Sequence, residues 1–289
     1  MTDRHIAASP LSPGLYLVST PIGAARDITL RALDILAAAD MIAAEDTRTA
    51  RRLMEIHGIS RNGRPVIAYH DHSGDGPRAR VADAIAAGQA VAYVSEAGTP
   101  LIADPGFALA RAVTEAGGAV LAAPGASAVL AALAVAGLPT DRFMFAGFLP
   151  PKAAARDTQL AALTDIPATL VFYEAPKRMP ASLAAIAQAF GPERPAAICR
   201  ELTKKFEQVS RGPLGELGAA LGADIPLKGE FVIVVGPPGA TTATAQDLDI
   251  ALLDAMEAQS VRDAATEVAE ALNIPRKRVY ARALELKRG

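Results

Sequence analysis

A chain of 289 residues is long enough for two domains and a small appendage. Its 29 basic and 31 acidic side chains give a net charge of −2 at pH 7, which excludes a protein that holds nucleic acid by bulk charge alone. Cys199 is the only cysteine, which excludes a disulfide framework and a cysteine-based metal site and is typical of a reducing cytoplasm.

No secretory signal is visible in the first ten residues, which carry Asp3, Arg4 and His5 without an apolar segment behind them. The uncharged stretch 119–138 is broken by Pro124-Gly125 and is too rich in alanine to cross a bilayer. We therefore expect a soluble, cytoplasmic protein.

The first half alternates short apolar runs with helical patterns, which predicts an α/β domain over residues 1–123. Such alternation is typical of βαβ units and a parallel sheet with helices on both faces. The predicted strands are 15–19, 41–44, 65–69, 90–94 and 119–122. A polar or Gly/Pro-rich motif follows nearly every strand, so these motifs should meet at the carboxyl edge of the sheet, where open α/β sheets bind ligands.

The motif with the most residues that interrupt helices and strands is the loop 95–106, which contains two prolines and two glycines. The loop must stay irregular, because these residues continue neither a strand nor a helix. On its own it fits a ligand site and a surface connection equally well.

Two patterns in this half suggest other chemistry but are not favoured. His70 and His72 alternate like paired metal ligands, but no third ligand is apparent, so we predict no metal site. The sequence 74–79 has the form G-x-G-x-x-A of a dinucleotide fingerprint. It follows a polar stretch instead of a tight strand-to-helix turn, which disfavours that interpretation.

The second half predicts an α+β domain with a mixed sheet over residues 124–237. Pro124-Gly125-Ala126-Ser127-Ala128 opens a helix whose free N–H groups suit polar or anionic ligand atoms, although a tight turn explains it equally well. The predicted strands are 142–146, 169–173, 196–199, 206–210 and 231–235. Basic residues at the ends of these elements favour an anionic partner, with a solvated sheet edge as the alternative.

Beyond a Pro/Gly/Thr-rich linker, residues 246–289 predict a small helical module. From residue 273 onward it has six Lys/Arg against one acid, Glu285. Short helices joined by a tight turn and ending in a basic helix indicate a helix-turn-helix-like nucleic-acid module, with a packing appendage as the alternative.

Together the motifs resemble the tetrapyrrole-methylase superfamily of S-adenosylmethionine-dependent enzymes. Within it they are most similar to the small-subunit ribosomal RNA cytidine-2′-O-methyltransferases. The motifs run in order over nearly the whole chain: TPIG at 20–23, AAEDTR at 43–48, HDH at 70–72, AGTPLI at 97–102, DPG at 104–106, PGASA at 124–128, GFLP at 147–150, FYE at 172–174, RELTK at 200–204 and KGE at 228–230.

The resemblance implies a cleft between two α/β domains that holds S-adenosylmethionine, and a homodimer. Tyr173 and Glu230-Phe231 would close the cleft from the second domain. The residues that would contact the cofactor are Ile22, Gly23, Ala97, Gly98, Thr99, Pro100, Ile102, Ser127 and Ala128. The sequence departs from the family pattern at Glu96, where an Asp is usual, and at Ala24-Ala25, where an Asn and an apolar residue are usual.

The implied reaction is 2′-O-ribose methylation of a cytidine in small-subunit ribosomal RNA, presented by the assembled subunit. Glu45 or Asp46 is the favoured general base, although an orienting salt bridge with Arg48 fits equally well, and His70 and His72 are the other candidates. The side chains expected to contact RNA, besides the basic tail, are Arg48, His70, His72, Lys177, Arg178, Arg200 and Lys204. The alternatives are a methylase of a tetrapyrrole or protein side chain, and a non-catalytic RNA-binding protein.

Overall fold

The computed structural model describes residues 9–70, 75–239, 245–272 and 274–287. His72, one of the predicted RNA contacts, and most of the predicted linker lie outside these ranges. The described chain forms two five-stranded sheets followed by a group of three helices.

The first sheet is entirely parallel, as the alternating pattern predicts. Its strands are β1 (Gly14–Val18), β2 (Met41–Ala44), β3 (Val66–Ala68), β4 (Ala90–Val94) and β5 (Val120–Ala123). They lie in the order β3-β2-β4-β1-β5. The accompanying helices are α1 (Leu30–Ala38), α2 (Thr47–Ile56), α3 (Asp75–Ala86) and α4 (Phe107–Glu115).

The first sheet is covered by apolar side chains on both faces, which explains why its strands are continuous apolar runs. All residues of β2 and β4 are buried. Gly76 lies inside α3 and not in a turn after a strand, which agrees with the rejection of a dinucleotide fingerprint.

The second sheet is mixed, as predicted. Its strands are β6 (Phe143–Phe148), β7 (Thr169–Glu174), β8 (Pro195–Arg200), β9 (Gln208–Pro213) and β10 (Phe231–Val235), in the order β6-β7-β10-β8-β9. Only the β6–β7 pair is parallel among these neighbours. Its helices are α5 (Ala128–Ala136), α6 (Ala153–Leu163), α7 (Met179–Phe190) and α8 (Leu214–Ala220).

One strand starts later than the sequence predicts. The apolar pattern placed it at 206–210, but β9 begins at Gln208. Glu201 and Thr203 have φ angles of 51° and 62°, so the chain makes a compact loop before it pairs with β8. Phe206 belongs to that loop and is exposed.

The last three helices, α9 (Ala245–Ala258), α10 (Val261–Ala271) and α11 (Arg276–Leu286), pack on one another around their own core. Leu252, Val279 and Ala283 are fully buried there. The Arg282 guanidinium contacts the Asp249 carboxylate at 2.6 Å and so ties α11 to α9. No helix of the described residues is long and apolar enough to cross a membrane.

Candidate active site

A cavity of about 630 Å³ lies between the two sheets and is lined by residues of both domains. Its volume lies in the range of small-molecule sites. The first domain contributes the loops that follow β1 and β4. The start of α5 forms a further wall, and the ends of β7 and β10 face these elements from the second domain.

Most residues predicted to contact a cofactor are brought together in this cavity. Pro100 is the exception: it is buried within the same loop but does not line the cavity. Tyr173, Glu230 and Phe231 of the second domain also line it. The predicted residues that do so are Ile22, Gly23, Ala97, Gly98, Thr99, Ile102, Ser127 and Ala128.

The walls of the first domain are fixed to one another by hydrogen bonds. Thr20 and Gly98 exchange two backbone hydrogen bonds of 2.8 and 3.0 Å. The Thr99 hydroxyl accepts a hydrogen bond from the Ser19 hydroxyl at 3.1 Å and donates one to the Ala126 carbonyl at 3.0 Å. Three separate loops, around Thr20, Gly98 and Ala126, therefore form one rigid cradle. Their small side chains allow a ligand to come close to the backbone.

The two domains touch directly beside this cradle. The Ala24 N–H donates to the Thr203 hydroxyl at 3.1 Å, so Ala24 contributes a backbone contact although it lacks the usual amide side chain. A Cβ atom on Gly23 would lie only 2.5 Å from the Thr203 hydroxyl oxygen. Lys204 bridges Glu201 and Glu230 at 3.1 and 3.0 Å at the cavity wall.

Tyr173 presents a protonated phenol to the cavity. Burial raises the pKa of its hydroxyl to about 12, although the Val129 N–H donates a hydrogen bond to it. The rings of Phe145 and Phe148 pack against it edge to face, with centroids 4.7 and 5.6 Å away. The hydroxyl therefore keeps its proton near neutral pH.

The two predicted candidate bases lie beside the cavity, not in its lining. Asp46 caps α2 by accepting the Arg48 N–H at 2.7 Å, and the Arg48 guanidinium contacts its carboxylate at 2.8 Å. Those hydrogen bonds lower the pKa of Asp46 to about 2, which supports the orienting alternative for this residue. Glu45 accepts the Glu96 N–H at 3.1 Å.

The cavity contains a carboxyl to which the sequence assigned no role, that of Asp104. Burial and the neighbouring Glu45 carboxylate raise its pKa to about 6. The motif Asp104-Pro105-Gly106 was visible in the sequence, but only the fold shows that Asp104 lines the cavity.

The residues predicted to contact RNA divide into two groups. Arg48, His70 and Lys177 are exposed. Arg200 is buried, and its guanidinium donates to the carbonyls of Lys228 and Phe206 at 2.6 and 3.1 Å.

Two further predicted contacts are also held by internal partners. Arg178 donates to the Leu149 carbonyl and to Glu174. Lys204 forms the two ion pairs with Glu201 and Glu230. We assign Arg178 and Arg200 to the internal structure of the second domain and do not carry them forward as phosphate contacts.

Among the residues that the structure describes, no group of three or more His, Cys, Asp or Glu side chains is placed to hold a metal ion.

Comparison with family models gives two matches, which together cover the first sheet, the second sheet up to β9, and the helical module. Residues 14–218 match the family described as Tetrapyrrole (Corrin/Porphyrin) Methylases. Residues 242–287 match the domain described as the RsmI C-terminal HTH domain. The second match covers the helices predicted to form a helix-turn-helix-like module.

Curated relatives cover almost the whole chain. The ribosomal RNA small subunit methyltransferase I of Mesorhizobium japonicum is 47% identical over 99% of this chain and 96% of the relative. The protein of the same name from Pseudomonas aeruginosa is 42% identical over 94% of this chain and 96% of the relative.

Solved structures with low sequence identity share the fold. A cobalt precorrin-4 methyltransferase superposes with a TM-score of 0.58 at 18% identity, covering 77% of this chain and 94% of that one. A diphthine synthase gives a TM-score of 0.60 at 16% identity, covering 77% and 89%. The sheets, the cleft between them and the family match agree, and the chain belongs to the tetrapyrrole (corrin/porphyrin) methylase family.

Proposed function

We propose that this protein uses S-adenosylmethionine to methylate the 2′-hydroxyl of a cytidine in small-subunit ribosomal RNA. One observation carries the proposal: relatives named ribosomal RNA small subunit methyltransferase I match both the cleft and the helical module. A methylase of a small molecule has no evident use for a helical module that ends in a basic helix.

The residues of the cleft fit the cofactor. The cavity of about 630 Å³ is walled by small side chains and by Ile22 and Ile102, which suit an adenosine with a short aliphatic arm. Gly98, with a φ of 82°, has a conformation that L side chains rarely adopt, and a Cβ there would lie 3.3 Å from Ile22. S-adenosylmethionine supplies a methyl group activated by a positively charged sulfur, so the work of the protein is largely positioning.

RNA binding would use the exposed cations. Arg48 lies at the start of α2 beside the cleft, and Lys177 follows β7. On α11, Lys277 and Arg278 are exposed and free to approach phosphates. Recognition of a 2′-hydroxyl distinguishes RNA from DNA.

A charge-removal experiment tests the choice of substrate. We expect K277Q/R278Q to slow methylation of small ribosomal subunits while S-adenosylhomocysteine binds as to the wild type. The control R31Q/R111Q removes two exposed cations from α1 and α4 of the first domain and should leave methylation unchanged. Equal rates for the two double variants would contradict RNA binding through α11 and favour a small-molecule substrate.

The assembly is also part of the proposal: a cytoplasmic homodimer that acts on the assembled subunit. The exposed side chains of Phe143 and Met144 on the edge strand β6 support a second copy as partner. Light scattering of F143S/M144S tests this, because a dimer formed there should dissociate.

A further inference from the structure

The loop that carries Asp104 is held in a fixed and uncommon backbone conformation. Leu101, Ala103 and Gly106 have φ angles of 74°, 59° and 117°. The buried Tyr93 anchors the loop, because its hydroxyl donates to the Pro105 carbonyl at 2.9 Å. Non-glycine residues keep such angles only where the surroundings enforce them, and these outliers cluster at functional sites.

The other carboxyls that line the cleft differ from Asp104 in their contacts. Glu174 is buried and accepts hydrogen bonds from Ser182 at 2.5 Å and from Arg178 at 3.2 Å. Glu230 pairs with Lys204, and Glu96 lies on the exposed rim. Asp104 is half-buried and receives a hydrogen bond from the Ser95 hydroxyl, and no Lys, Arg or His of the described residues forms an ion pair with it.

The titratable groups around Asp104 come from three strands. Glu45 follows β2, Glu96 follows β4, and Tyr173 belongs to β7. The Arg48 guanidinium pairs with Asp46 and also interacts with Glu96. Burial and the two glutamates raise the pKa of Asp104 to about 6, whereas Asp46 has a pKa of about 2. Asp104 is therefore mostly ionised at pH 7 but takes up a proton more readily than Asp46.

We propose, resting on the function proposed above, that Asp104 is the general base that takes the proton of the attacking ribose hydroxyl. The hydroxyl oxygen forms a bond to the methyl carbon while the carbon–sulfur bond breaks and its electron pair stays on sulfur. The O–H proton passes to a carboxylate oxygen of Asp104 and is later released to water. Glu45 is a positioning residue that acts through Asp104, because the negative charge of Glu45 keeps the Asp104 carboxylate basic.

The test is the pH dependence of single-turnover methylation of small ribosomal subunits that lack the modification. The wild type should lose activity as the pH falls through about 6, because protonated Asp104 cannot accept a proton. D104N should react about 100-fold more slowly and lack this acidic limb. E45Q keeps the hydrogen-bond acceptor for Glu96 but removes the charge, so its acidic limb should move to lower pH. D83N, on the exposed face of α3, is the matched control.

Calorimetric titration with S-adenosylhomocysteine separates catalysis from cofactor binding and confirms folding. D104N should bind it within about threefold of the wild type, because a general base contributes to the reaction and not to ground-state affinity. Loss of that binding, an unchanged rate for D104N, or an E45Q variant that is inactive at every pH would overturn the assignment. A wild type that binds the cofactor analogue but never methylates the subunits would instead refute the proposed function, and this inference with it.

Discussion

A carboxylate oxygen of Glu45 accepts a hydrogen bond from the backbone N–H of Glu96 at 3.1 Å. This contact joins the ends of β2 and β4 at the point where the loop 95–106 begins. The contact does not require the Asp that the family resemblance implies at position 96. The backbone of Glu96 forms the bond, so the length of its side chain does not matter there.

Removing this contact should make the loop 95–106 less rigid and weaken ligand binding in the cleft. E45A deletes the acceptor, and one hydrogen bond contributes about 1 kcal/mol, so S-adenosylhomocysteine should bind about fivefold more weakly. E45Q retains an acceptor and serves as the control with near wild-type affinity. Equal affinity of E45A and the wild type in calorimetry would show that the bond does not support the loop.

A methyl group at Gly23 should separate the two domains beside the cleft. The added Cβ would lie 2.5 Å from the Thr203 hydroxyl oxygen, 2.6 Å from the Lys204 Cγ and 3.1 Å from the Leu202 carbonyl oxygen. We expect G23A to lower kcat/KM at least tenfold, because small misplacements at a reacting centre are costly. G218A is the matched control, since a Cβ there meets nothing within 4 Å. Wild-type kinetics for G23A would contradict the tight contact.

Asp46 should matter for stability and little for the reaction. Its hydrogen bonds to Arg48 lower its pKa from 3.8 to about 2, so the stability it contributes is present above pH 4 and is lost as the pH falls toward 2. D46A should lower Tm by a few degrees because α2 loses its cap, whereas D46N restores capping. Both variants should methylate within about threefold of the wild type at pH 7. A 100-fold loss in D46N would make Asp46 the base after all.

Arg194 should be important for the stability of the second domain. It is buried, donates to the carbonyls of Gly236 and Thr164 at 2.9 and 3.2 Å, and stacks 5.1 Å from the Phe190 ring centroid. R194M leaves both carbonyls without their donor and should lower the free energy of unfolding by about 3 kcal/mol. Urea denaturation measures this, with the exposed R111M as control. Similar unfolding midpoints for the two variants would refute it.

The sequence predicted the order of elements, because the apolar runs that identify the strands are local patterns. The glycines and prolines after β1 and β4 indicated irregular loops at one sheet edge, whereas the cleft and the cofactor contacts at Gly23 and Gly98 were expected only from the family resemblance. The start of β9 was predicted two residues early because the left-handed Glu201 and Thr203 leave no periodic signal.

The roles of individual charges depend on contacts between distant parts of the chain. Arg200 resembled an exposed phosphate ligand at a strand end, but it is buried and its donors meet backbone carbonyls. Asp104 gained its basicity from burial and from Glu45, which follows another strand. Neither property is encoded in the neighbouring sequence, so neither could be predicted from it.

The central claim is methylation of ribose in small-subunit ribosomal RNA, and one measurement tests it most directly. Small ribosomal subunits from a strain without the protein are incubated with methyl-labelled S-adenosylmethionine and the purified full chain, and the RNA is digested to nucleosides. We predict that the label appears in 2′-O-methylcytidine and that the D104N variant gives about 100-fold less in the same time. Label in a base, in ribosomal protein or in no product of the subunit would contradict the account.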